Sequence, residues 1–457
     1  MRLRLGIALL AAAVLLAPAS GRASELEATS STSLYFQKQW RDGATYPTTP
    51  LYEFISVSGR GFAIPGGELQ LVVDAWGGVD LSSPPWWNGY TNSGAWSGDL
   101  NLAFVKGSWL KGDLQVKLGR QSIGVGNARM LQLDGLSLSS RFLEYLSLDV
   151  WGGAPTVQRF IGWGSVYSSN PTLGNVAVGG RLGFAYRQWV SFGVSTTLAW
   201  DSGNFTREDV ALDLKFSPVP WMYLLGYLDY SLFANEYYSG FGNQLPEASA
   251  SLVFPVTPHL QFTAEYSYTV PALLLGYNSI LWVFTDGSHQ YLGGTARVGL
   301  EAFGLHVPLD IDLGYRWIAS YSALGDPTTG ALSKDSESGN RYFVRATWKP
   351  SARSTVGAEG SRLDLPEQGY WNARVFGSLR MYGFTGTLDG QGYWFDQPVN
   401  GNTQSIIGNA TLGYDVGHGL SVVGAVSGGE TPYYKSYFSG MVKLVYNQTY
   451  RFREVQP

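Results

Sequence analysis

The sequence predicts an all-β protein, a transmembrane antiparallel β-barrel of about 22 strands within a range of about 18 to 22. Three observations carry this. Apolar and polar residues alternate with period two along nearly the whole chain, and stretches of helical period are hard to find. The apolar phases end on aromatic residues, as at Tyr186, Trp200, Tyr268, Trp317, Trp348 and Tyr414, which suits rings lying at a membrane interface. The links between alternating segments are themselves alternately short and long, as expected of turns at one end of a barrel and loops at the other.

Taken in order, the chain opens with Arg2 and Arg4 before an apolar run from Leu5 to Ala17. Ala17-Pro18-Ala19 satisfies a small-x-small cleavage rule, and Gly21-Arg22-Ala23 offers a second site. Residues 1–23 are therefore expected to be a signal peptide and 24–457 the barrel. With no cysteine in the chain, this is not a lipoprotein signal. No later segment holds ~18 unbroken apolar residues, so no spanning helix is expected.

The first strand is expected from Leu34. In "ELQLVVDAWGGVD" Leu69, Leu71, Val73 and Ala75 face one way, and Glu68, Gln70 and Asp74 the other. "DVALDLKF" sets Val210, Leu212, Leu214 and Phe216 against Asp209, Asp213 and Lys215. "LQFTAEYSY" repeats the pattern from Leu260 to Tyr268. "VPLDIDLGYRW" sets Val307, Leu309, Ile311 and Leu313 against Asp310, Asp312 and Arg316, and "WNARVFGSLRM" keeps Arg374 and Arg380 on the polar side. Short links such as Thr257-Pro258-His259, Gly304-Leu305-His306 and Val416-Gly417-His418-Gly419 alternate with long ones at Leu81–Gly98, Gly153–Gly174, Pro271–Ser288 and Tyr321–Gly339. An even strand number places both termini on the side of the short turns.

One stretch breaks the pattern. In "LQVKLGRQSIGVGNARMLQLDGLSLSS" Leu114, Val116 and Leu118 share a face, and Arg120 follows where an apolar residue should stand. A charge in the lipid-facing wall costs about 2–4 kcal/mol at the bilayer midplane. A glycine bulge at Gly119 would turn Arg120 inward near the extracellular rim, within reach of Asp134 on the next strand.

The last strand, "GMVKLVYNQTYRF", alternates Val442, Leu444, Tyr446, Tyr450 and Phe452 with Lys443, Asn447, Thr449 and Arg451. It resembles the assembly signal of Gram-negative outer-membrane β-barrels, although "REVQP" follows the terminal aromatic. That resemblance implies an integral outer-membrane location, lipid and lipopolysaccharide around the wall, and the barrel assembly machinery as a partner. "KLGRQSIGVGNARMLQLDGL" also resembles the Gly-Arg-Gln … Arg … Asp-Gly pattern of alginate-export barrels, through Gly119, Arg120, Gln121, Arg129, Asp134 and Gly135. In that group pore arginines favour an anionic polymer. Here Arg120 could equally brace the wall through an ion pair.

Other classes are excluded by what the chain lacks. Without cysteine there is no disulfide, Cys-based zinc site or c-type haem attachment. A net charge of −4 gives no nucleic-acid footprint. Of four histidines, His259, His306 and His418 fall in turns and His289 stands alone in "TDGSHQ". No catalytic, metal or cofactor site is expected, and the protein is not read as an enzyme.

What remains is a channel for polar or charged solutes, with Arg120, Asp134, Asp213, Asp310, Asp312, Arg316, Arg341, Arg345, Arg374 and Arg380 as pore-lining residues. Basic residues (Arg341, Arg345, Lys349, Arg374, Arg380) crowd one part of the wall. Acids such as Asp209, Asp213, Asp229, Glu247 and Glu265 crowd another, so the pore would carry a transverse field unless the charges pair off. The apolar runs of Pro271–Ser288 suit a loop folded inward or capping the rim. Trp86, Trp87, Tyr90 and Trp96, in the loop Leu81–Gly98, suit either packing over the pore mouth or stacking on a ligand such as a sugar. The alternative is a sheath around a periplasmic or lumen partner, such as a multihaem cytochrome.

Overall fold

A computed structural model describes residues 25–41, 44–82, 96–128, 131–156, 175–201, 203–232, 245–270, 288–322, 335–366, 368–432 and 434–451. Among these residues, strands pair with their neighbours in chain order, every pair antiparallel. The first strand, Glu25–Arg41, pairs along one edge with the last, Tyr434–Arg451, from Glu25 opposite Arg451 to Gln37 opposite Ser439. Its other edge pairs with Ala44–Thr48 and Pro50–Ile64, two halves of one strand interrupted at Thr49. Counted so, the sheet is a closed barrel of 22 strands. Closure leaves no edge, which is what lets a sheet sit in hydrocarbon with its backbone satisfied. At ~4.8 Å between strands and a tilt of ~40°, such a barrel is on the order of 40 Å across its backbone.

The outer face is apolar. Leu212, Leu313 and Leu412 are 47%, 49% and 57% exposed, and each is flanked by a polar residue of the other phase, Asp213, Asp312 and Thr411. Exposed apolar side chains all round a closed barrel have only lipid to face, so the barrel spans a membrane. No helix among the described residues is long and apolar enough to cross, so the crossing is made by strands.

Three expectations need correction. The first strand begins at Glu25 rather than Leu34. Its Ser/Thr-rich opening lacks an apolar phase, yet Ser30 donates to Glu53 Oε1 at 2.5 Å and Thr32 to Oε2, so the hydroxyls are satisfied by the neighbouring strand. The link expected at Gly304–His306 is longer. Strand Ser288–Gly299 is followed by a 3₁₀ turn, Leu300–Phe303, and the next strand starts at Leu309, leaving Val307 outside it. The short-long alternation also fails late in the chain. Phe384–Val399 and Asn402–Gly417 meet at Asn400-Gly401 on the side of the long loops. These strands, 16 residues each, outlast the bilayer, so the extended hairpin stands where a loop was expected.

Candidate functional site: the lumen wall and its inward loop

The polar phase of the strands lines the lumen, and a loop establishes which face that is. Leu114–Ser122 and Gln132–Phe142 are neighbouring strands joined through Ile123–Leu131, with residues 129 and 130 outside the described set. Instead of standing upright the connection crosses Leu146–Thr156 and Val176–Tyr186 to reach the strands beyond. The backbone N–H of Asn127 donates to Ser195 Oγ at 3.1 Å, and its Nδ2 to the Asp209 carbonyl at 3.1 Å. Its Oδ1 accepts from Thr197 Oγ1 at 2.8 Å. A connection this short can reach so many strands away only by cutting across the concave side. Ser195, Thr197 and every residue in their phase therefore face the lumen.

The loop is held by packing as well. Ile123, Ala128, Leu133 and Trp151 form a buried cluster, with Val125 and Leu131 against it. Within the loop Ile123 N–H bonds to Leu131 O at 2.9 Å, and a 3₁₀ turn spans Gly126–Ala128. Gly126 has φ +56°, and a Cβ there would collide with Ser195, so glycine is required where the loop meets the wall. Trp151 lies over Gly179, where an added Cβ would come within 2.7 Å of the indole.

Beyond the loop the wall carries a belt of alternating charge. Arg297 stands directly opposite Asp312, Asp312 opposite Arg345, Arg345 opposite Glu359, and Glu359 opposite Arg374. The row runs through five adjacent strands from Ser288–Gly299 to Tyr370–Met381, and Asp389 continues it diagonally on the next. Arg297 Nε meets Asp312 Oδ1 at 2.8 Å, Arg345 Nη2 meets Glu359 Oε2 at 2.6 Å, and Arg374 Nε meets Asp389 Oδ2 at 2.9 Å. Nearer the periplasmic turns Lys349 Nζ reaches Asp310 Oδ2 at 3.1 Å. The segregated basic wall is thus corrected at these positions, because Glu359 lies on the strand between Arg345 and Arg374 and Asp389 on the strand after Arg374.

Asp213, expected on an acidic wall, receives two bonds from Arg181, at 2.8 Å to Oδ2 and 2.6 Å to Oδ1. Arg181 spans an intervening strand to do so, and the position it crosses is Gly193, where a Cβ would overlap the guanidinium. Arg316 uses the same device. It passes over Gly293, where a Cβ would lie 2.6 Å from its Cγ, and reaches Glu265 Oε2 at 3.0 Å. Its guanidinium sits 5.0 Å from the Tyr291 ring centre and 5.8 Å from that of Phe343. Arg341 and Arg380 make no ion pair among the described residues.

The bulge expected at Gly119 does not occur. Gly119 lies directly opposite Gly135, and Gly135 opposite Gly153, with no register shift. Because each strand has a glycine at the same position, none gains a residue on its neighbour, and Arg120 stays in the phase of Leu118 and Leu136. The nearby irregularity is instead at Asp74/Ala75, opposite the strand that carries Asn101. The ion pair itself is present: Arg120 Nε and Nη2 meet Asp134 at 2.7 and 2.8 Å, while Nη1 reaches Asp99 at 3.3 Å and the Leu100 carbonyl at 2.7 Å. With its donors engaged two residues from the strand end, this pair braces the extracellular rim.

Sequence reasoning missed Asn127, Arg181, Arg297, Glu359 and Asp389 as lumen residues. The run of Ile123, Val125 and Leu131 among glycines was the available signal for an inward loop. The Pro271–Ser288 stretch falls, up to residue 287, outside the described residues, as do Trp86, Trp87, Tyr90 and Arg129. Trp96 opens a strand, and its side chain is outside the described set.

No protein-family model matches the chain, and no curated relative does. Among solved structures it is similar to OccAB4 of Acinetobacter baumannii, at 8% identity over 95% of this chain and 100% of that one, with a TM-score of 0.43. It is likewise similar to OccK5 (OpdH) of Pseudomonas aeruginosa, at 10% identity over 94% and 99%, TM-score 0.42. The translocation pore of the P pilus usher PapC matches at 10% identity over 93% and 99%, TM-score 0.46. At these scores the likeness adds nothing on solute or partner to what the chain's own wall displays.

Proposed function

We propose that this protein is a porin-like channel of a Gram-negative outer membrane, exported by way of an N-terminal signal peptide, that passes polar or charged solutes. The observation that carries the reading is the lumen wall. Its ion-paired side chains stand in a concave, polar face, and elsewhere on that face the Ile123–Leu131 loop crosses to Ser195, Thr197 and Asp209. The pairs are partly exposed, with the Arg297, Arg345 and Arg374 side chains each more than a third open, so the charges face water in the bore. Paired charges with water-facing edges hold polar solutes without fixing them, as passage requires. The pore-lining set is then Asp213, Asp310, Asp312, Arg316, Arg341, Arg345, Arg374 and Arg380, joined by Arg181, Arg297, Glu359 and Asp389.

The sheath reading fits less well. A partner threaded through the lumen would have to displace a loop anchored by three hydrogen bonds and an apolar cluster. The test is reconstitution of the purified, folded chain in planar bilayers and in liposomes loaded with sugars and amino acids. Discrete ion currents and solute-dependent swelling are expected. Electrically silent bilayers, with liposomes that exclude even the smallest solutes, would overturn the channel.

A further inference from the structure

The outer wall carries one charge inside its apolar band rather than at its rim. Directly opposed residues of an antiparallel pair share a face. Leu412 stands opposite Gly424, Gly424 opposite Val442, Val442 opposite Leu34, and Leu34 opposite Leu51. Leu412 faces lipid, so Glu53, two residues on from Leu51, faces lipid too, as do Ser30 and Thr32 on the neighbouring strand. Leu51, Leu34 and Phe36 continue this apolar phase toward the extracellular side, and Ile55, Val57 and Ala28 continue it toward the periplasm. Thr32 stands directly opposite Glu53 and donates to its Oε2, while Ser30 donates to Oε1 at 2.5 Å. Each carboxylate oxygen therefore holds one bond and keeps a lone pair for a second donor. Among the described residues no lysine or arginine bonds to it. The outward positions flanking the site are Ala75, Gly77 and Val79 on one side and Val442 and Leu444 on the other. An ionisable side chain turned to hydrocarbon is costly, and where one is kept it marks a functional contact. Beside the site the convex wall is also hollow. Small outward residues, among them Gly377, Gly386, Ala410, Gly424 and Gly440, leave an apolar groove of about 870 Å³ that begins at Phe36 and Val442, two strands from Glu53.

We infer that Glu53, set by Ser30 and Thr32, is the docking point for a membrane-embedded protein partner that brings an arginine or lysine to the carboxylate from within the bilayer. A charge-assisted bond to the open lone pairs supplies the missing cation, and the small residues alongside let a second backbone approach closely. A second copy of this chain does not fit. Its outward arginines, Arg120 and Arg362, stand near the extracellular strand ends and are each already held by two aspartates. Copies meeting face to face would also oppose one Glu53 to another. A lipid amine lies at headgroup level, beyond Leu34 and Phe36, so it sits above the carboxylate. The inference needs the apolar face to lie in lipid and is independent of what the lumen passes.

The test is photo-crosslinking of the full chain in living cells of the source bacterium. Benzoylphenylalanine is placed at Ile55, an outward neighbour of Glu53, and at Leu212, elsewhere on the outer wall, as control. Ile55 should yield a discrete protein adduct that Leu212 does not, and the captured protein should carry a basic residue in its membrane-embedded segment. Glu53→Gln keeps an acceptor for the hydroxyls but removes the charge, and should cut the adduct about tenfold or more, whereas a mere tie between neighbouring strands would leave it unchanged. Glu53→Lys should abolish the adduct, and reversing the captured protein's basic residue to glutamate should restore it. Faster migration on unboiled gels confirms that each variant has folded. Should Glu53→Lys fail to assemble, loss of the adduct on neutralising the captured protein's basic residue to Gln carries the comparison. Adducts with lipid or lipopolysaccharide alone, a second copy as the sole protein adduct, a captured protein with no basic residue in its membrane-embedded segment, or undiminished yield in Glu53→Gln would overturn the docking point.

Discussion

Asn127 is the point at which the inward loop can be released without touching the barrel. Asn127→Ala removes two side-chain hydrogen bonds, to the Asp209 carbonyl at 3.1 Å and from Thr197 Oγ1 at 2.8 Å, and keeps the backbone bond to Ser195. Each neutral hydrogen bond contributes about 0.5–1.5 kcal/mol net, so the docked loop should lose about 2 kcal/mol, roughly thirtyfold in its docking equilibrium. The apolar cluster of Ile123, Ala128, Leu133 and Trp151 is untouched, so the loop should fluctuate between docked and undocked positions rather than vanish from the lumen. Single-channel recording is the assay. Wild type should give one dominant conductance, and Asn127→Ala should add a larger, flickering level whose occupancy falls again when a disulfide is engineered between loop and wall. If the variant recorded the same conductance, with the same current noise as wild type, the loop would not be the narrowing element.

Other expectations follow from the two faces and the belt. Leu212→Arg puts a charge on an outward position 47% exposed and should cost about 2–4 kcal/mol if it lies at mid-membrane, so folded barrel should drop sharply on unboiled gels. Asp213→Asn at the next position should still assemble, but it frees Arg181 and should shift reversal potentials in a salt gradient toward anion selectivity; the opposite ranking of these two variants would put the strand phase out by one residue. Glu359→Gln leaves Arg345 without its 2.6 Å partner and should also raise anion selectivity, with a smaller effect at high salt because exposed charges are screened. The wild-type barrel should migrate faster unboiled than boiled and give a β-rich spectrum in detergent. Replacing Trp86 and Trp87 together by Ala should change either the open current or blockade by oligosaccharides, and no change in both would remove that loop from the pore mouth.

How far the sequence carried depends on the range of the interaction. Alternation is local, so the phase of Leu212 against Asp213, or of Ile311 against Asp312, could be read from a few residues, and the strand number followed from summing such segments. The partners of the lumen charges could not be read that way. Arg345 and Glu359 meet because a turn at Arg353 sets their register, and a shift of one residue would have sent one of them to lipid. The two crossings, Arg181 over Gly193 and Arg316 over Gly293, depend on a residue of the intervening strand that takes no part in the ion pair. A glycine in a polar phase reads as a weak strand position; only the register reveals it as the gap a neighbour's arginine fills. The loop at Ile123–Leu131 was obscured for a related reason. Its apolar residues are few and broken by glycines, while Pro271–Ser288 offers longer runs, and length of run says nothing about which wall lies within reach.

The Arg120 stretch joins these points. A barrel on the order of 40 Å across cannot be narrowed by side chains that extend ~6 Å from each wall, so backbone must enter the bore. To enter, neighbouring strands must bend together, and a bend confined to one strand would shift its register and misplace the pairing below it. Glycines stand at the same level of three adjacent strands, Gly119, Gly135 and Gly153, and a Cβ at any of them would strike the backbone of a neighbouring strand, so the three strands approach closely there without losing register. Above that seam the chain runs through Gln121, whose carboxamide turns back to the Lys117 and Gly135 carbonyls at 3.3 and 3.2 Å, and into the loop that Asn127 pins across the lumen. Arg120 with Asp134 and Asp99 ties the strands together at that level. The arginine that interrupts the apolar phase therefore marks where the wall gives up being a plain cylinder, and it holds the fold from which the loop departs.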